Sequence, residues 1–238
     1  AAPASAAPVA DIATKLEDIV ARRIRFLADY QNEAYARRYK DFVVRVQKAE
    51  SRALPDHDGL VRDDLARAVA RYYFKLLTYK DEYEVARLYT DSGFMDKVNQ
   101  TFEGDFKLNF HLAPPLLADR NLDTGELEKK SYGPWMMRAF GVLAKLKGLR
   151  GTPFDPFGRS TERRRERQLI ADYEATIGGL LDSLSTDNYA IGVDIASVPE
   201  QIRGYGHVKE RHIADAKTQE IVLLADYQNP NRRLDAAE

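Results

Sequence analysis

The sequence predicts a mainly α-helical protein, built of long amphipathic helices with one inserted two-stranded β-hairpin at about 106–132. Three observations predict it. Apolar residues recur at helical spacing through most of the chain. The period changes to strict alternation at "FKLNFHL" (106–112), where Phe106, Leu108, Phe110 and Leu112 are separated by Lys107, Asn109 and His111. At 238 residues, with 44% hydrophobic and 31% charged residues, the chain is long enough for a sizeable core in one large domain or two small ones.

The elements follow in order. "AAPASAAPVA" (1–10) has the Ala/Pro mixture of a semi-rigid linker and no basic n-region or apolar core, which implies a piece cut from a longer chain. From Ile12, apolar positions at Leu16, Ile19, Val20, Ile24, Leu27 and Tyr30 continue through Tyr35, Tyr39, Phe42, Val43 and Val46. They predict one long helix or two in line, ending before the Pro–Gly turn "ALPDHDGL" (53–60), which holds His57. A second amphipathic helix covers 61–79, with Leu65, Val69, Tyr72, Tyr73 and Leu76 inward. Shorter helices follow at 81–90 and 92–103, separated near Gly93.

The hairpin comes next, turning at Asp123-Thr124-Gly125 and returning over 126–132. Two strands alone are marginal in water, so it must pack on helices or on a neighbouring domain. "GPWMMRAFGVLAKLKGLRG" predicts a helix with Pro134 near its first turn and Gly148 near its end. After the loop "TPFDPFGRS", a long helix spans 160–184 with Ser160 or Thr161 as its cap, then a short one 188–196 and a last one 207–227. Residues 11–229 are expected to form a single domain and 230–238 a polar tail. "LADYQN" occurs at 27–32 and 224–229, but the flanks differ and no solenoid repeat is implied.

Composition excludes some chemistry. With no cysteine, the chain carries no disulfide, thiolate zinc site or iron–sulfur cluster of its own. A net charge of −1 gives no global pull toward nucleic acid or membrane, and no apolar run approaches the roughly 18–20 residues of a membrane span.

The stretch "PEQIRGYGHVKERH" (199–212) invites a phosphate-binding reading. It lacks the third glycine and the preceding strand of a dinucleotide fingerprint, and no P-loop pattern is present. Ser197 and Glu200 have capping-box spacing, and Gly204 suits a left-handed turn before a helix opened by Gly206. His207 and His212, five apart, cannot share a helix face as zinc ligands, whereas His207 and Arg211 do share one. With Arg203 and Lys209 close by, that helix start either receives an anion or forms an interdomain or solvated surface. On the hairpin, Lys107, Asn109 and His111 form the polar side of the strand, either a contact face or an exposed one. No G-x-S-x-G motif appears, and "EGDF" (103–106) lacks the second glycine and later asparagine pair of a thiamine diphosphate site. No metal site and no catalytic residue are predicted.

One charge asymmetry stands out. Between Arg138 and Arg167 lie Lys145, Lys147, Arg150, Arg159, Arg163, Arg164 and Arg165, making nine cations with the two ends. They face three carboxylates, a local balance of +6 that either steers an acidic partner or forms a solvated face. Arg163–Arg165 at a helix N-terminus oppose the macrodipole. No interleaved aromatics or binding motif point to nucleic acid.

The segments "FLADYQNEAYARRYKDFV" (26–43), "LARAVARYYFKLLTYKDEYEVARLYTD" (65–91), "FEGDFKLNFHLAPPLL" (102–117), "GPWMMRAFGVLAKLKGLRGTPFDPFG" (133–158), "ERRRERQLIADYEAT" (162–176) and "IRGYGHVKERH" (202–212) together form a co-linear pattern over roughly 12–228. That pattern resembles the C-terminal region of bacterial fused indolepyruvate ferredoxin oxidoreductases. The resemblance implies a cytoplasmic parent enzyme that oxidatively decarboxylates aryl-pyruvates to aryl-acetyl-CoA. In that family thiamine diphosphate, magnesium and iron–sulfur clusters lie in other parts of the polypeptide, with coenzyme A as co-substrate and ferredoxin as acceptor. No family active-site residue maps onto this chain. The expected role is an accessory domain that packs on the catalytic parts, completes the assembly or shapes access for coenzyme A or ferredoxin. The alternative is a stand-alone module recruiting an acidic partner such as ferredoxin through 138–167.

Overall fold

The structure, a computed structural model, describes residues 15–54, 62–91, 93–104, 106–112 and 130–230. The expected linker at 1–10, His57 and its turn, the hairpin turn at 123–125, and 231–238 of the expected tail lie outside these. The fold class is mainly α, as predicted. Among the described residues, nine α-helices accompany one antiparallel hairpin. The helices are α1 (Leu16–Tyr30), α2 (Glu33–Ala53), α3 (Asp64–Leu77), α4 (Glu82–Thr90), α5 (Phe94–Thr101), α6 (Met136–Lys145), α7 (Thr161–Leu180), α8 (Tyr189–Ser197) and α9 (Gly206–Gln228). The strands are β1 (Phe110–Leu112) and β2 (Lys130–Tyr132). No helix among the described residues is long and apolar enough to cross a membrane.

Where one domain over 11–229 is expected, contacts divide the chain into two compact units. Of the described residues, the first takes those up to Phe26, those within Ala34–Lys75 and those from Tyr173 onward. The second takes Leu27–Glu33 and the described residues within Leu76–Asp172.

The first unit is organised by tyrosines. α2 buries Ala36, Tyr39, Val43, Val46 and Ala49, a helical stripe at i, i+3 and i+4 spacing. Tyr39 stacks on Tyr73 of α3 at 5.9 Å between ring centroids, and Tyr73 stacks on Tyr173 of α7 at 6.0 Å. Such ring pairs contribute about 0.5–1.5 kcal/mol each beyond the area they bury. Their hydroxyls are not left dry and unpaired. Tyr39 donates to the Ala70 carbonyl (3.1 Å) and Tyr173 to the Ala196 carbonyl (2.9 Å), which pins α8 to α7. Tyr227 of α9 donates to the Leu180 carbonyl at 2.8 Å and so receives the exposed end of α7.

The second unit is built on α4 packed against α6, with the hairpin as a lid on their core. Ala86, Phe110, Met136, Phe140 and Ala144 form that core, flanked by Tyr89, Leu112 and Tyr132. Tyr89 stacks on Phe140 at 5.0 Å, and Phe110 meets both rings edge-on. The requirement that the hairpin find a helical support is therefore met by Phe110 and Tyr132, which are register partners across the strands. The predicted strand over 106–112 is longer than the observed one. Only Phe110–Leu112 pair with Lys130–Tyr132, and Phe106, expected inward, is 41% exposed and leans on Phe102 instead. Alternation marks a half-buried strand only where a partner strand exists to hold it.

Candidate functional site

The candidates on the hairpin sit where the alternation puts them. Lys107, Asn109 and His111 are exposed, while Phe110 between the last two is buried. His111 faces Ser131 in the register, so the hairpin presents a polar outer surface and keeps its aromatic for the core.

The candidates around Gly204 and Gly206, namely Arg203, His207 and Arg211, belong to the first unit and are exposed. Gly204 adopts φ +86° and Gly206 φ +54°, so both glycines serve the turn, as the sequence suggested. The capping box does not form. Ser197 is still in the last turn of α8, and its hydroxyl donates back to the Val193 carbonyl at 2.9 Å. Glu200 instead accepts from the Tyr72 hydroxyl at 2.7 Å and lies 3.7 Å from Arg203. His212 Nδ1 lies 2.8 Å from the Arg203 carbonyl and fastens the turn to α9. Lys75 donates to the Pro199 and Glu200 carbonyls (2.8 and 3.0 Å); burial, with Arg203 adding to it, holds its pKa below the usual lysine value. Beside the turn is an open cleft of about 420 Å³ lined by Asp194, Ser197, Val198, Glu200, Gln201, Gln219 and Leu223. Its ionisable groups are carboxylates, which disfavour an anion there.

Two centres of buried charge are used for architecture. Glu50, 1% exposed, accepts from the Leu65 and Ala66 N–H groups (2.9 and 3.0 Å), the free donors at the start of α3, and from the Tyr189 hydroxyl at 2.6 Å. It is a helix cap delivered from another helix. Burial raises the Glu50 pKa; the Tyr189 hydroxyl and the two N–H groups pull it the other way.

Arg150, 4% exposed, is the centre of the second. Its guanidinium grips Asp81 with Nε–Oδ2 at 2.5 Å and Nη2–Oδ1 at 2.8 Å, donates to the Tyr30 carbonyl at 2.6 Å, and lies 3.7 Å from the centre of the Tyr30 ring. Asp81 also caps α4 through the Glu84 N–H at 2.9 Å. The next loop folds around Asp155, which accepts from the N–H groups of Gly151 and Phe157 and from the Tyr83 hydroxyl (2.8, 3.1 and 3.1 Å). Burial, then the Asp155 charge, keeps the Tyr83 hydroxyl protonated far above the ordinary tyrosine range. Burial and then Asp81 push Tyr79 up to about 12.

The basic run thus separates into inward and outward cations. Arg150 holds Asp81; Arg163 pairs with Glu82 at 3.3 Å; Arg167 donates to the Gly158 carbonyl at 2.7 Å; Lys147 donates to the Asp29 carbonyl. The macrodipole conflict expected at the start of α7 is relieved in part by Glu82, and Ser160 caps that helix through the Arg163 N–H at 3.2 Å. Arg138, Lys145, Arg164 and Arg165 are exposed. Exposed apolar residues accompany two of these. Trp135, Val142 and Leu146, at 57%, 63% and 43% exposure, stand on α6 and its two ends with Arg138 and Lys145. The sequence predicts this helix by its ends, and the apolar outer side is seen only in the structure.

Among the described residues no cluster of three His, Asp or Glu side chains is placed to hold a metal ion. A family model described as a family of unknown function, DUF6537, matches residues 16–221, and the chain belongs to that family. No curated protein and no solved structure matches it.

Proposed function

We propose that this member of DUF6537 is a helical accessory domain of a cytoplasmic, thiamine-diphosphate-dependent indolepyruvate:ferredoxin oxidoreductase, working by packing and contact rather than by chemistry of its own. The six co-linear segments supply the identity of the parent enzyme, and one structural observation supports the role. The buried charges Glu50, Asp81, Arg150 and Asp155 each have internal partners that explain them as helix caps and loop anchors. A catalytic carboxylate needs a face turned to substrate, and these face backbone N–H groups, hydroxyls and a guanidinium. On this reading thiamine diphosphate, magnesium and the iron–sulfur clusters belong to the remainder of the parent, as does the coenzyme A site. The hairpin face of Lys107, Asn109 and His111 and the turn bearing Arg203, His207 and Arg211 are interdomain contacts.

Calorimetric titration of this chain with thiamine diphosphate, coenzyme A and a ferredoxin tests the proposal together with removal of the region from the parent enzyme. Absence of heat from the two small molecules and loss of 2-oxoacid oxidation in the truncated parent are the expected results. Turnover of any 2-oxoacid by this chain alone overturns it. A second reading, recruitment of ferredoxin as an acidic partner, is favoured by the outward cations. It predicts salt-sensitive ferredoxin binding that Lys145→Glu with Arg164→Glu abolishes.

A further inference from the structure

The outer side of α6 combines three features that no internal role absorbs. At about 100° per residue, positions 135, 138, 142, 145 and 146 fall within an arc of roughly 100° on the side away from the core. The opposite side carries Met136, Phe140 and Ala144, all buried. A surface helix of this length needs one apolar stripe, and here exposed apolar residues also stand on the outer side, Val142 on α6 and Trp135 and Leu146 at its two ends. The outer stripe reads Trp135, Arg138, Val142, Lys145, Leu146. Its residues are exposed, and Trp135 is steadied edge-on by Tyr132 with ring centroids 6.0 Å apart. Aromatic and arginine side chains held on a rigid support are what protein interfaces use as anchors.

Charge indicates what covers it. From Lys129 to Phe154 the chain contains no aspartate or glutamate, and of the cations in that stretch Arg138 and Lys145 are exposed on the outer side of α6, while Lys147 and Arg150 are turned inward. The carboxylates on the neighbouring α4 are already engaged, Glu82 by Arg163 and Glu84 by Nε and Nη2 of Arg87, each at 2.8 Å. Nothing on α6 itself neutralises Arg138 and Lys145. An apolar strip edged on one side by exposed cations fits an occupant with the reverse pattern, apolar anchors edged by carboxylates.

We propose that the outer face of α6 is a docking site for an acidic amphipathic helix of a protein partner, with Trp135, Val142 and Leu146 receiving apolar side chains and Arg138 and Lys145 pairing with carboxylates. This deepens the partner-recruitment reading and rests on it only in taking the partner to be acidic. It moves the site from the long basic run to one helix face.

Trp135 is the one tryptophan of the chain, so its emission reports on this face directly. The full 238-residue chain is titrated with a synthetic helix bearing Leu at i, i+3, i+4 and i+7 and Glu elsewhere, and with a scrambled peptide of the same composition. The expected result is a saturable blue shift with the patterned peptide alone. Affinity falls about tenfold or more in Arg138→Glu with Lys145→Glu, and falls similarly in Val142→Asp, with unfolding curves unchanged. Equal binding of both peptides, equal binding by the variants, or no shift at millimolar peptide overturns the proposal. So does a shift that grows with protein concentration alone, which marks a second copy, or one produced only by anionic vesicles. Failure of ferredoxin to bind while the patterned peptide does removes ferredoxin as the partner and leaves this site standing.

Discussion

Glu50 and Arg150 are both buried, both charged and both tied to the start of a helix, yet they solve the problem of burial differently. Among the described residues no cation pairs with Glu50. Its charge is met by two N–H groups at the positive end of α3 and by one tyrosine hydroxyl. A carboxylate in that position keeps the option of taking up a proton. Arg150 has no such option, because a guanidinium does not titrate in the accessible range. It therefore requires a carboxylate, and Asp81 supplies two oxygens while capping α4 with one of them. The difference teaches that a buried carboxylate can be met by neutral donors alone, whereas a buried guanidinium calls for an opposite charge, however similar the two look as buried ions.

The largest effect is expected at the Arg150–Asp81 pair. Arg150→Met leaves Asp81 buried without its cation and costs about 3–5 kcal/mol in urea unfolding. Adding Asp81→Asn to that variant recovers a large part, because the uncompensated charge goes with it; additive losses break the comparison. Next comes Gly158→Ala. Its new Cβ falls 2.5 Å from Asp155 Oδ2, so the loop around Asp155 has to shift, at about 1–3 kcal/mol. A neutral result shows that Asp155 is not a rigid anchor.

Glu50→Gln sharpens the comparison through pH. The folded-state pKa of Glu50 lies above its unfolded value, so folding favours the protonated form. The advantage is full below the ordinary carboxylate value of about 4.3 and is lost as pH rises through the raised one. Glutamine does not titrate, so wild-type stability minus variant stability declines as pH climbs out of that range. A difference that is flat with pH contradicts the assignment. Smallest of all is Arg138→Glu with Lys145→Glu, expected to change unfolding by no more than about 0.5 kcal/mol.

What the sequence reveals of this follows from range. Periodic positions are local facts, so Leu65, Val69, Tyr72, Tyr73 and Leu76 are all buried as expected, and Gly204 takes the left-handed conformation its place before a helix suggests. The capping box fails for a local reason too: Ser197 and Glu200 have the right spacing, but the preceding helix runs on through the serine. Strand length was overestimated because alternation over 106–109 continues past the last paired residue. The two buried fastenings were illegible. Glu50 reaches residue 189 and Arg150 reaches residue 81, and no pattern in one segment announces a partner so distant. The same distance explains the basic run. Counted along the chain it is one patch; in space Arg150, Arg163 and Arg167 are turned to Asp81, Glu82 and Gly158.

The division of cations into inward fasteners and outward contacts is tested most directly by urea unfolding of Asp81→Asn beside Arg138→Glu with Lys145→Glu. The account predicts a loss of about 3–5 kcal/mol for the first and of no more than about 0.5 kcal/mol for the second. Comparable losses in both, or none in Asp81→Asn, contradict it.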